Sequence, residues 1–309
     1  MVTKTQTKKD KRKLKVEVTP LIKKIEALTK RLVRTRTMGE YISVFKGGGL
    51  EFDGYKQYDP SIDANAIDWK ASVRAKEILV KKYREIRDLE VYFVVDVSES
   101  MIFGSTEKLK NEYAAEFILS LAYTVIGVGD AVGLITFSDK VISRIKAAKG
   151  TNQFYKIASS LVDPDLYGGS YDLPSIEEFL LNFVKRKGSV IILVSDFYGL
   201  KGGNLWRKRM KYLAAKFDVI CIVVRDPRDK YLPDDVRNVM VEDPFTGSRL
   251  MIDSSLIKSR YEAYVKKQDR ELLNQLKDAN VDAVELPTDM PLLSALMDFF
   301  KTRRQGMIL

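Results

Sequence analysis

The chain has 309 residues and a formal net charge of +10, but residues 1–16 hold seven Lys or Arg against Asp10 alone, so more than half of the excess sits in one terminal stretch. A protein-wide basic field of the kind that tracks nucleic-acid backbone is therefore weak. There is no histidine and one cysteine, Cys221, which excludes Ser-His-Asp and Cys-His catalysis, HExxH zinc chemistry and any disulfide framework within the chain, and leaves oxygen as the donor for any metal.

Taken in order, residues 1–17 form a charged tail without periodicity, expected to be disordered. Residues 18–87 form an appendage. Its first helix, Thr19 to Arg34, has Thr19 as cap, Pro20 in the first turn and an apolar stripe of Leu21, Ile22, Ile25, Leu28 and Leu32. That stripe is expected to pack on the body of the protein. Gly47, Gly48 and Gly49 follow a short β-like segment, YISVF; without Walker spacing they read as a turn. Turn residues cluster around 59–65, and Ile67-Asp68-Trp69-Lys70 opens a basic stretch to Arg87, with Trp69 expected as a packing anchor.

From residue 88 strand and helix signals alternate, which predicts an α/β sheet that is mostly parallel. Strand 90–96 precedes a helix of about 106–126 capped by Thr106. Strands 130–137 and 141–147 flank Ser138-Asp139-Lys140 as a hairpin. Helices near 151–161 and 173–186 are separated by DPDLYGGSYD; strand 189–195, helix 204–216 and strand 218–225 follow. Val236 to Asp253 reads as two short strands about a Pro-Phe-Thr-Gly turn. Helix 254–279, strand 281–286 and helix 291–303 complete the unit, and 304–309 is a short tail. Cys221 lies in the apolar run DVICIVV and is expected to be a buried structural thiol. No apolar run approaches the roughly 20 residues that span a bilayer, and no signal-peptide core is present, so the expected location is cytoplasmic.

The stretch EVYFVVDVSESMIFG carries the chemistry. A strand buried on both faces ends in Asp96, Ser98 and Ser100, where open α/β sheets bind their ligands. Ser170 follows the Gly168-Gly169 pair, and Asp196 follows strand 189–195 at its carboxyl end. Two carboxylates and three hydroxyls suit a hard divalent cation, Mg²⁺ or Mn²⁺, with one position left for an incoming acid.

These residues resemble the metal-ion-dependent adhesion site of von Willebrand factor A domains, written Asp-x-Ser-x-Ser with a later Thr and a later Asp. The resemblance covers residues 88 to about 303. It implies that Ser98, Ser100 and Ser170 touch the metal, with Asp96 and Asp196 holding it directly or through water. Ser170 stands where that family usually has Thr. The upstream Tyr58-Asp59-Pro60 and Ile67-Asp68-Trp69-Lys70 resemble the signature of domain-of-unknown-function family 58. Membership implies a doubly wound, Rossmann-like von Willebrand A domain with a helical or irregular N-terminal appendage. It also implies a non-enzymatic adaptor or co-chaperone role beside a MoxR-type AAA+ ATPase, contacted through an acidic side chain.

Rival readings meet specific obstacles. An EF-hand loop would use Asp96, Ser98, Ser100 and Glu107, but Met101 stands where the turn needs Gly. A phosphoryl-transfer enzyme with Asp96 as nucleophile lacks a general acid at Ser98. Asp and Ser as helix caps would have to explain three coincident sites. A nucleic-acid or anionic-surface binder would work through residues 1–35 and 70–87, with affinity that falls steeply with salt.

Overall fold

The structure is a computed structural model that describes residues 41, 50–59, 67–85, 89–200, 203–233 and 236–305. The tail, the helix expected at Thr19–Arg34, Gly47–Gly49 and most of the 59–65 turn cluster lie outside the described residues. Of the YISVF segment only Tyr41 is described, and its backbone is helical rather than extended.

In the appendage, β1 (Leu50–Gln57) pairs antiparallel with β2 (Leu79–Glu85), and the short helix α1 (Trp69–Ala75) lies between them in sequence. The described part of the appendage is thus a two-stranded antiparallel sheet carrying one short helix. Asp68 caps α1 by accepting from Ala71 N–H at 3.1 Å. Trp69 corrects an expectation: it is 65% exposed. α1 turns only Ser72 inward, where its hydroxyl donates to Asp68 O and accepts from Leu79 N–H, each at 2.8 Å, so two hydrogen bonds rather than an aromatic anchor seat the helix.

The main domain begins with β3 (Glu90–Asp96) and the 3₁₀ turn Glu99–Met101. It continues through α2 (Lys110–Gly127), β4 (Ala131–Phe137), β5 (Val141–Ala148), α3 (Thr151–Leu161), α4 (Leu173–Phe183), β6 (Val190–Ser195), α5 (Asn204–Lys216) and β7 (Asp218–Arg225). Next come the short α6 (Pro227–Lys230) and a separate antiparallel hairpin of β8 (Asn238–Glu242) and β9 (Arg249–Asp253). α7 (Ser254–Asp278), β10 (Asp282–Pro287) and α8 (Leu292–Gln305) close it, so the last helix runs into the expected tail.

Six strands form one sheet in the order β10-β7-β6-β3-β4-β5, parallel except for the edge strand β5. The chain leaves β3 toward β4 and returns to β6 on its other side. This is a doubly wound von Willebrand A-type fold, and its switch point lies between β3 and β6.

Strand alternation divides the core. Val91, Phe93 and Val95 join α2, α3 and α8 on one face, with Phe117 and Phe299 meeting edge to face at 5.9 Å. Tyr92 and Val94 join α4, α5 and α7 on the other, with Cys221 fully buried and its thiol pushed up by burial. α2 starts later than the expected 106, because Thr106 spends its hydroxyl on Lys108 O instead of capping; Glu112 caps by accepting from Leu109 N–H at 2.9 Å.

Tyr41 reaches the main domain and donates to Asp130 Oδ2 at 2.9 Å, while Asp130 Oδ1 accepts from Leu89 N–H at 3.0 Å. Tyr41→Phe is expected to lower stability by about 1–2 kcal/mol, since it strips a buried carboxylate of a donor; urea denaturation reads this, and an unchanged midpoint would contradict it. No helix among the described residues is long and apolar enough to cross a membrane.

Candidate metal centre

The carboxyl ends of β3 and β6 bring Asp96 and Asp196 to one crevice. Asp96, fully buried, accepts from Ser98 N–H at 2.8 Å on Oδ1 and from the Ser195 hydroxyl at 2.7 Å on Oδ2. Ser195, the last residue of β6, also accepts from Phe197 N–H at 2.8 Å. Phe197 has φ +57°, so the chain swings out through left-handed backbone directly after Asp196, a conformation a bulky side chain rarely adopts. Burial first, and then the facing Asp196 carboxylate, push the Asp96 carboxyl up.

Ser98 caps the 3₁₀ turn that contains Ser100, and both are buried. The Ser98 and Ser100 hydroxyl oxygens are 3.2 Å apart, and the Ser100 hydroxyl donates to Asp196 Oδ1 at 3.1 Å. In an octahedron with bonds of about 2.0–2.1 Å, neighbouring ligand oxygens lie about 3 Å apart, so both spacings fit adjacent corners around Mg²⁺. Burial, and after it the Asp96 charge, push the phenol of the buried Tyr171 up. Ser170 stands apart: it is exposed. Its loop is nevertheless pinned to the Asp96 loop, because Gly168 N–H donates to Val97 O at 2.7 Å and Glu99 N–H to Gly169 O at 3.0 Å. Gly169, at φ +90°, sits where an added Cβ would press Ser138 Oγ at 3.2 Å, which lets this loop lie close to the crevice.

Among the described residues no three Asp, Glu or Cys side chains converge as a metal cage. The donor set is two carboxylates completed by hydroxyls. It fits a hard cation through Asp96, Ser98, Ser100 and Asp196, with Ser170 on the rim.

Three further residues, not singled out from the sequence, complete the site. Lys110 Nζ lies 2.7 Å from Asp196 Oδ2 and 3.2 Å from Asp229 Oδ2. Arg225, the last residue of β7, donates through its guanidinium to the Asp196 carbonyl and to Asp269 Oδ1, the latter at 2.8 Å. Asp229 accepts from Asp226 N–H at 2.9 Å; burial pushes its carboxyl up, against the pull of Lys110. The signal for Arg225 was the one that marked Asp96 and Asp196, a strand end at the same sheet edge. Lys110 carried none, because its partners are 86 and 119 residues away.

Residues 54–271 match the family model described as protein of unknown function DUF58. The chain belongs to the DUF58 family. Similarity to uncharacterized proteins of Mycobacterium tuberculosis and Mycobacterium bovis is 24% identity over 271 residues, covering 87% of this chain and 84% of theirs. Among solved structures, this DUF58 protein is similar to the conserved hypothetical protein BatB from Bacteroides thetaiotaomicron, at 17% identity and a TM-score of 0.49 over 71% of this chain and 98% of that one. It is also similar to the SpRpn10 VWA domain, at 13% identity and a TM-score of 0.43 over 69% and 95%.

Proposed function

We propose that this DUF58 protein is a non-enzymatic binding module that holds Mg²⁺ or Mn²⁺ at Asp96, Ser98, Ser100, Ser170 and Asp196 and engages a Glu or Asp of a partner protein. The observation that carries the reading is the convergence of two carboxylates and two hydroxyls at the switch point, with oxygen spacings of 3.2 and 3.1 Å suited to an octahedral ion. Charge supports it. Lys110 is divided between Asp196 and Asp229 and Arg225 pairs with Asp269, while the fully buried Asp96 carboxylate makes no ion pair among the described residues, so a cation beside it would meet an uncompensated acid.

A bound cation would supply one open coordination position for a carboxylate oxygen. The protein's own residues orient the rest. Ser195 and the Ser98 N–H hold Asp96, Arg225 holds the backbone of Asp196, and Ser170 stands exposed where an incoming side chain arrives. The resemblance read from the sequence favours a MoxR-type AAA+ ATPase as that partner, in a cytoplasmic adaptor or co-chaperone role.

Titration calorimetry on the full chain is expected to find one weak Mg²⁺ or Mn²⁺ site, with at least a tenfold loss of affinity in Asp96→Ala and an unchanged circular dichroism spectrum. Unaltered affinity in that variant overturns the site. Capture of a MoxR-type ATPase is expected to need Mg²⁺ and to fail with EDTA and in Ser98→Ala/Ser100→Ala. A complex that survives both would mean that the partner does not bind through the metal.

A further inference from the structure

Lys110 is the first residue of α2, and its side chain is almost wholly buried. A cation at a helix N-terminus opposes the helix dipole, and burial strips an ammonium of its water. The surroundings compensate in detail. Asp196 and Asp229 face Nζ from the ends of β6 and the start of the segment after β7, and the rings of Tyr198 and Phe103 lie 5.1 and 5.6 Å from it. Side chains from three separate segments therefore make a seat for one positive charge, and the seat shares Asp196 with the metal centre.

We propose that Lys110 is a tethered cation that competes with the divalent ion for Asp196 and keeps the metal centre closed and of low affinity. The inference deepens the metal-centred reading and rests on it. Asp196 presents Oδ1 to Ser100 and Tyr198 N–H, and Oδ2 to Lys110. An ion drawn to Ser98, Ser100 and Asp196 meets an ammonium already at that carboxylate, and the two positive charges repel at short range. Asp229 gives the ammonium a second partner, so Lys110 can yield Asp196 without being left buried and unpaired. A partner acid that adds a ligand would then favour the metal-bound arrangement over the lysine-bound one, making metal and partner binding mutually supportive.

The test is titration calorimetry with MgCl₂ and MnCl₂ on the full chain, comparing wild type with Lys110→Met, which keeps the stem, and Lys110→Gln, which keeps a donor. Both neutral variants are expected to bind Mg²⁺ at least tenfold more tightly than wild type and to show a larger Mg²⁺-induced rise in melting temperature. Equal or weaker binding in the variants, with wild type binding normally, overturns the role of Lys110 and leaves the metal centre standing. Absence of binding in all three proteins overturns both. If Lys110→Met does not fold, Lys110→Gln carries the comparison. A variant that folds only with Mg²⁺ supports the proposal, and failure of both to fold even in excess MgCl₂ overturns it, because the ion was expected to replace the missing charge.

Discussion

Arg225→Met is expected to destabilise the domain by about 3–5 kcal/mol, the cost typical of removing one partner from a buried ionic network. The side chain is nearly inaccessible, donates to the Asp196 and Val224 carbonyls, pairs with Asp269, and stacks on Tyr198 with its guanidinium carbon 4.9 Å from the ring centroid. Met fills much of the volume but satisfies none of the acceptors, so Asp269 and two carbonyls are left without their donor. Arg225→Lys should recover only part of the loss, since an ammonium cannot bridge Asp196 and Asp269 as a planar fork does. Urea unfolding checks the ranking wild type, Lys, Met. A Met variant within about 1 kcal/mol of wild type would contradict the network's weight. The same change should weaken Mg²⁺ binding, because the backbone of Asp196 loses its anchor.

Glu177→Gln is expected to stabilise the protein by an amount that grows with pH. Glu177 lies on the inner face of α4 with no solvent exposure, and neither carboxylate oxygen has a hydrogen-bond partner among the described residues. Burial is the main reason that its carboxyl is pushed up to about 9, with Arg209 offsetting part of the rise. The folded protein therefore keeps a proton that the unfolded chain releases above its ordinary value of 4.5. The contribution is fully present below about 4.5 and is lost as pH rises toward about 9, at about 1.4 kcal/mol per pH unit. Gln has the same shape and no proton to release. The two proteins should melt together near pH 4.5, and the variant should be ahead by about 4 kcal/mol at pH 8. Paired thermal melts across that range decide it; a difference that does not change with pH would show that ionisation of Glu177 is not the cause.

Much of the architecture was legible before the structure, element by element. Strand 90–96 and its partner strands are unbroken apolar runs, and α3, α5 and the β8–β9 hairpin stand within a residue or two of where periodicity and turn residues put them. Asp96, Ser98, Ser100 and Asp196 were also legible, because a polar residue that ends a buried strand has one place to go, the crevice at the sheet's carboxyl edge. The failures have a common cause. Thr106 has the right chemistry for a cap and Trp69 the right size for an anchor, yet Glu112 took the first role and the Ser72 hydroxyl the second. In each, several nearby side chains could serve, and packing chose.

The sequence by itself determined which segments are strands and helices, that any metal must be bound by oxygen, and which strand ends carry the oxygens, because these follow from side-chain period, composition and the chain's local geometry. Only the tertiary structure decided that Asp196 is shared between Ser100 and Lys110, that Arg225 clamps its backbone, and that Glu177 is sealed on the inner face of α4 with no hydrogen bond among the described residues. Those relations depend on strand order and on which helix covers which face, and a buried charge acquires its meaning from whatever distant group the fold places within about 3 Å of it.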